Sequence, residues 1–281
     1  MIEPFRIRRP VGPAATPLVY DSPHNGRFYP PDFDTKASRD DLRRAEDAYV
    51  DELLDAGPAL GVPVLDATYP RCYIDVNRAE SDIDPGLLSE PWPTELAPTE
   101  KSARGLGLIR RYVVPGVEIN ARLLSVNEVR ERIDRVYRPY HSALDALVED
   151  TRAVHGRVWH VNWHSMKSVG NSMTPDGAVA RPDFVVSALE GRSAAKAVTA
   201  CVVSALQDLG YRVAVNDPYK GGEIIKRIGA PAIGVHSIQV EINRALYLDE
   251  RRIDKTGGFA SLARDVAALT RVLAASVAGL G

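Results

Sequence analysis

The stretch from Val158 to Met166 restricts the fold more than any other part of this chain. It opens as a β-branched and aromatic run and ends in His164, Ser165 and Met166, where a strand would finish. A glycine-containing loop around Gly170 follows. In open α/β sheets, ligands bind in the crevice beyond the strand ends. An imidazole there, on a rigid strand, is placed to hold a metal or to take part in a reaction. A histidine that only caps the strand is the alternative, and the rest of the chain has to decide between the two.

Composition narrows the setting. With 281 residues and 45% apolar content, the chain can bury a full core. A formal net charge of -2 provides no basic field, so nucleic acid is not an expected partner. Cys72 and Cys201 lie far apart and form no ligand pair, which suits a reducing compartment. Met1 to Pro10 contains no apolar core long enough for a signal peptide. No run approaches the roughly 18 apolar residues of a membrane span. The expectation is a soluble, cytoplasmic protein acting on a small molecule, away from membranes. Its oligomeric state is left open, a homo-oligomer included.

Residues 17–20 read as a short buried strand that enters a tight turn with Pro23, His24 and Gly26, so a second imidazole stands at a strand end. Ser38, with Asp41 three residues on, resembles a capping-box helix start. From there to about Gly61, Leu42, Ala45, Tyr49, Val50, Leu53 and Leu54 keep helical spacing. Glu46 and Asp47 fall in or beside that apolar face, and at least one of them needs a buried partner. Residues 62–67 and 71–76 read as further strands, the second leading into Asn77 and Arg78. The proline-rich stretch 79–125 reads as a long, largely irregular excursion over the mouth of a site. Residues 126–155 predict an amphipathic helix bent near Pro139. Strands are expected at 183–187, 211–215 and 235–242, and helices at 193–209, in a short stretch ending at Gly229, and at 257–280. This alternation predicts one α/β domain spanning residues 1–281, with a mainly parallel or mixed central sheet flanked by helices.

His24 and His164, with a carboxylate from Glu46 or Asp47, make the ligand set of a hydrolytic zinc site with a position left for water. Their wide spacing is no objection, because separate strand ends meet at one edge of a sheet. To share an ion, however, the two rings must bring nitrogens within about 5 Å. Glu241 lies on the apolar strand 235–242, where a carboxylate is costly to bury without a job or a partner. Beside a metal it can take a proton from water and pass it to a leaving amine. A structural ion pair with Arg244 is the alternative. Arg78 and Arg244 each follow a strand and suit bidentate recognition of a substrate carboxylate, with Arg181 a weaker candidate. Lys220, before Gly221 and Gly222, could set backbone N–H groups near an oxyanion. His141 is expected to pack or hydrogen-bond behind the site and His155 to meet a helix dipole. His160 stands about 13 Å back along the strand from His164, and His236 points away from Glu241.

Six ordered blocks then resemble the motifs of the N-formylglutamate amidohydrolase family. They are Ser22 to Arg27, Glu46 to Leu53, Ile74 to Arg78, His164 to Met166, Tyr219 to Gly222, and Gln239 to Tyr247. The resemblance extends from about residue 15 to 255. It implies a fold related to the zinc carboxypeptidases and one zinc ion per chain, held by His24, Asp47 and His164, with Glu241 as general base. Asp47 is chosen because Asp47, Val50, Asp51 and Leu53 fit the family's block, although helical spacing favours Glu46. Asn77, Arg78, Lys220 and Arg244 are the expected substrate-binding residues. The implied reaction is hydrolysis of an N-acyl amino acid, N-formyl-L-glutamate to formate and glutamate. Another peptide-like or cell-wall amide, or ligand binding without catalysis, are the alternatives. Asn25 stands where the family often has serine, and residues 79–125 match the family poorly.

Overall fold

A strand with both faces covered reads as continuous core, and its parallel neighbours need crossover helices on either side. The computed structural model, which describes residues 2–10 and 15–279, is built this way. In chain order the strands are β1 (Phe5–Arg8), β2 (Leu18–Ser22), β3 (Val64–Ala67), β4 (Tyr112–Val114), β5 (Val117–Glu118), β6 (Val158–Met166), β7 (Phe184–Ser187), β8 (Val213–Val215) and β9 (Val235–Asn243). Two further short strands, β10 (Leu248–Asp249) and β11 (Asp254–Lys255), pair with each other, and β4 pairs with β5; the other seven strands form one sheet in the order β1-β3-β2-β6-β9-β7-β8. β3, β2, β6 and β9 are mutually parallel. β1 pairs antiparallel with β3, and β7 antiparallel with β9. The sheet is therefore mixed, with a parallel centre, as the alternation of elements predicts.

The helices are α1 (Arg39–Arg43), α2 (Val50–Leu53), α3 (Glu100–Ala103), α4 (Val126–Arg132), α5 (Arg138–His155), α6 (Lys196–Asp208), α7 (Glu223–Ile228) and α8 (Phe259–Gly279). Two hydrophobic cores form. In one, Trp159, Val161 and Trp163 of β6 join Ile238, Val240 and Ile242 of β9 beneath Val202 and Leu206 of α6 and Leu269 and Leu273 of α8. In the other, Tyr140, Leu144 and Leu147 of α5 pack with Val19 and Leu65. The period of two along a strand then puts His160, Asn162 and His164 on the face of β6 opposite its tryptophans. Register sets these three beside Ser237, Gln239 and Glu241 of β9. All six are buried, so the sheet carries a polar stripe whose groups must bond to one another. His160 lies 2.9 Å from Asp21 Oδ1 through Nε2 and 2.8 Å from Ser237 Oγ through Nδ1. Asn162 Nδ2 donates to Asp21 Oδ1 at 2.7 Å, and the Tyr140 hydroxyl donates to Asp21 Oδ2 at 2.7 Å.

Two expected elements differ from the structure, and both differences serve the stripe's open end. The helix predicted from Ser38 to Gly61 is broken: α1 ends at Arg43, α2 begins at Val50, and a 3-10 turn follows at Pro58–Leu60. Ser38 does cap α1, its side chain accepting from the Asp41 N–H at 3.1 Å. The break holds Asp47 by its own N–H, which donates to the His24 carbonyl at 2.9 Å. It also puts Tyr49 at φ 64°, in the left-handed region that non-glycine residues rarely adopt. Residues 71–76 form turns in place of a strand. Asp75 explains this: its Oδ1 accepts from the Asn77 N–H at 3.0 Å, a local bond that competes with a sheet ladder. The bend near Pro139 is present as a π-helical turn, Ile133–Tyr137, between α4 and α5. Residues 79–125 contain α3 and the β4–β5 hairpin, and part of the stretch, from Glu100 to Val114, contributes to the cavity lining. Among the described residues, no helix is long and apolar enough to cross a membrane.

Candidate active site

His24 follows β2 in a turn that presses on neighbouring backbone. A Cβ on Gly26 would stand 2.1 Å from the Tyr69 carbonyl oxygen, so only glycine permits this approach. His24 Nε2 donates to Asp75 Oδ1 at 2.7 Å. Burial alone would raise the pKa of Asp75, but Arg71, then His24 and Arg78, hold its carboxyl well below the usual range. An ionised carboxylate only accepts, so the His24 proton sits on Nε2 and the Nδ1 lone pair is left facing inward. Burial, and then the positive charge of Arg71, lowers the His24 pKa and favours this neutral ring.

His164 is held in the same sense. Its Nε2 lies 2.7 Å from Asn162 Oδ1 and 3.1 Å from Asn77 Nδ2. Asn162 is the nearer partner, and Asp21 fixes its amide with the oxygen toward the ring. The His164 Nδ1 lone pair therefore turns to Asp47 Oδ2 at 3.0 Å, where His24 Nδ1 also points at 3.5 Å. One ligand atom from each of His24, Asp47 and His164 lies within 4.8 Å of the others, and all three residues are buried. The spacing condition set by the sequence is met. His24 Nδ1 has no hydrogen-bond partner, and an orphaned acceptor at this depth is unfavourable unless a cation satisfies it. Two imidazoles and a carboxylate are the donor chemistry that zinc accepts, so the residues present fit such an ion.

Glu241 stands across from His164 in the parallel register. Gln239 Nε2 donates to its Oε1 at 2.8 Å. Burial raises its pKa, with His164 opposing and Asp47 reinforcing that shift. His24, Asp47, His164 and Glu241 all face a cavity of about 440 Å³, along with Asn77 and Arg78. Arg78 is anchored by Nε to the Leu106 carbonyl at 2.7 Å and by Nη1 to the Asn77 carbonyl at 2.8 Å. Nη2 takes part in neither bond and lies 3.9 Å from Asp75 Oδ2. Asn77 Oδ1 accepts from the Ile224 N–H at 2.9 Å. A Cβ on Gly222 would come within 2.4 Å of the Asn77 amide, which accounts for glycine there.

Arg244 and Lys220 both line this cavity and are also bound within the protein. Arg244 is bound to the protein: Nη2 donates to Asp47 Oδ1 at 3.0 Å and to the Glu46 carbonyl at 2.6 Å, while Nε donates to Ser165 Oγ at 3.0 Å. Its guanidinium orients Asp47. Lys220 lies at the rim, largely exposed, with Nζ donating to Glu190 Oε1 at 2.7 Å. Arg181 is likewise held by Asp176, through Nε and Nη2 at 2.8 Å each. Among the described residues, the convergent donor group is His24, Asp47 and His164. Sequence reasoning passed over Arg71, Asp75, Asn162 and Arg110. Asp75 carries the same signal that exposed Glu241, an acid within an apolar run, here between Ile74 and Val76.

A buried carboxylate beside a convergent His–Asp–His group, facing a cavity, is equipment that suits a hydrolase. The comparisons with known proteins agree. A family model described as N-formylglutamate amidohydrolase matches residues 16–248. The N-formylglutamate deformylases of Pseudomonas putida and Pseudomonas aeruginosa are 26% and 29% identical to the chain, over 83% and 84% of its length and 82% and 83% of theirs. The crystal structure of N-formylglutamate amidohydrolase from Ralstonia eutropha JMP134 superposes with a TM-score of 0.91 at 43% identity, covering 98% of this chain and 99% of that one. The chain belongs to the N-formylglutamate amidohydrolase family.

Proposed function

We infer that this protein hydrolyses N-formyl-L-glutamate to formate and glutamate, using one zinc ion held by His24 Nδ1, His164 Nδ1 and Asp47. The observation that carries this reading is the unpartnered Nδ1 of His24, aimed at Asp47 next to His164 and within the reach of Glu241's strand. When bound, zinc supplies a Lewis acid that makes water acidic and polarises a carbonyl at neutral pH. Glu241 takes a proton from the attacking water through the carboxylate oxygen that Gln239 leaves free. As the C–N bond breaks, the same carboxyl returns that proton to the departing amine. Asp75 and Asn162 keep both imidazoles in the tautomer that presents Nδ1, and Arg244 keeps Asp47 turned toward them. Arg78 binds the α-carboxylate with the guanidinium edge that its two backbone bonds leave open, and Asn77 lines the floor beneath it. The family and the two deformylases that the chain resembles point to this substrate. Cys72 and Cys201 are unpaired, in keeping with a reducing compartment, and we assign the protein to the cytoplasm.

Metal analysis of the purified protein combined with a formate-release assay tests this reading. The expected result is about one zinc per chain and formate from N-formyl-L-glutamate. Zinc without turnover on formyl, acetyl or succinyl amino acids would overturn it.

A further inference from the structure

Among the described residues, the Arg110 side chain in the cavity wall has no hydrogen-bond or ion-pair partner. Arg110 is only 7% exposed, and its Nε meets no hydrogen-bond acceptor. Its guanidinium forms no ion pair among the described residues. The neighbouring buried guanidiniums are all engaged: Arg71 with Asp75, Arg244 with Asp47, and Arg78 with two carbonyls. Buried arginines are almost never left unpaired, because desolvating the charge is expensive. Burial, and then repulsion from Arg71, pushes the Arg110 pKa down to about 10.

The segment that carries Arg110 is fixed in place. Leu106 and Arg110 form an isolated antiparallel bridge, and Asn120 Nδ2 donates to the Arg110 carbonyl at 3.3 Å. The Asp75 N–H donates to the Leu108 carbonyl at 2.9 Å, which ties this turn to the segment holding His24. The cavity that Arg110 lines is also lined by Leu106, Val113 and Val114. Apolar lining together with an unpaired guanidinium suits a short aliphatic arm that ends in a carboxylate. A rigid, desolvated anchor of this kind needs little ordering on binding.

We propose that Arg110 is the specificity-determining residue of the site and receives the side-chain carboxylate of an acidic N-acyl amino acid. This rests on the substrate class proposed above. Arg78 then serves the α-carboxylate near the reacting amide, and Arg110 serves the far end of the side chain.

The test uses the full-length, zinc-reconstituted protein and its R110Q and R110K variants. Formate release is measured on N-formyl-L-glutamate and on N-formyl-L-glutamine, the neutral isostere, and glutarate is titrated calorimetrically into all three proteins. The wild type should favour the glutamate substrate by roughly 100-fold or more in kcat/KM, since a buried donor left unpaired rejects the isostere. R110Q should abolish that preference by losing turnover of formylglutamate alone. R110K should recover part of it, having the charge without the fork. R110Q should melt no lower than the wild type, because an uncompensated buried charge has been removed. Equal losses on both substrates, or an unchanged ratio, would overturn the assignment. No formate from either substrate, with glutarate bound by the wild type and not by R110Q, sinks the reaction and leaves the anchor standing. Turnover that is indifferent to R110Q does the reverse.

Discussion

Replacing Asp75 with asparagine changes one atom of the most enclosed acid in the site and should disturb both stability and metal affinity. Its Oδ1 accepts from His24 Nε2 at 2.7 Å and from the Asn77 N–H at 3.0 Å. Its Oδ2 accepts from Arg71 Nη2 at 2.8 Å and Nε at 3.1 Å. An asparagine that keeps the first pair of bonds turns its NH2 toward Arg71, donor against donor, and leaves that guanidinium without its main counterion. Breaking a buried ion pair from one side costs about 3–5 kcal/mol, against a total stability of about 5–15 kcal/mol. Misorienting a ligand imidazole typically weakens metal binding by about 10–100-fold. Urea unfolding of metal-free D75N and wild type measures the first effect, and competitive zinc titration the second. Despite the burial penalty, Arg71 holds the Asp75 pKa well below its unfolded value. Its stabilisation is therefore present above pH of about 4 and lost as pH falls further, so the gap between the two proteins should close in acid. Zinc affinity within twofold of wild type, together with unchanged unfolding at pH 7, would refute the role given to Asp75.

Three other outcomes are expected. Glu241→Gln should lower formate release by about 10²–10⁴-fold while zinc content, read by metal analysis, stays at the wild-type level; unchanged turnover would remove Glu241 as the base. His164→Ala should lose metal on dialysis, and normal zinc content in that variant would take His164 out of the ligand set. Glu128 closes the capping box of α4, accepting from the Ser125 N–H at 2.8 Å and pairing with Arg122 at 2.6 Å. Its pKa is held down to about 2, first by Arg122. Because the pair is solvent-screened, Glu128→Gln should cost only about 1 kcal/mol at pH 7. That loss should vanish as pH falls through the ordinary glutamate value toward 2, as acid melts of both proteins would show.

How far the sequence could be read depended on whether a signal was local. β6 and β9 announced themselves because their buried runs are long, and the period of two then put His160 on the face of His164 and His236 opposite Glu241; the register that sets His164 beside Glu241 appears only in the structure. His24 was legible from a strand followed by Pro23 and Gly26. The break between α1 and α2 was not, because the left-handed Tyr49 and the Asp47 N–H bond to His24 are required by the site and not by local propensity. β1 was missed since four residues are too few to show a period; its Arg6 and Arg8 are instead tied to Asp66 across β3. Arg244 looked free to bind substrate from its place after β9. Only the packed structure shows Asp47 taking its guanidinium. Arg110 lies in the irregular stretch 79–125, and its lack of a partner is a fact of three dimensions.

The central claim is that His24, Asp47 and His164 gather on one divalent ion beside Glu241. Anomalous diffraction at the zinc edge, from crystals of the protein purified without chelator, tests it most directly. A single strong peak is predicted, about 2.0–2.2 Å from His24 Nδ1, His164 Nδ1 and an Asp47 carboxylate oxygen. A peak bonded to other residues, or full formate release by crystals that show no peak at that position, would contradict the account.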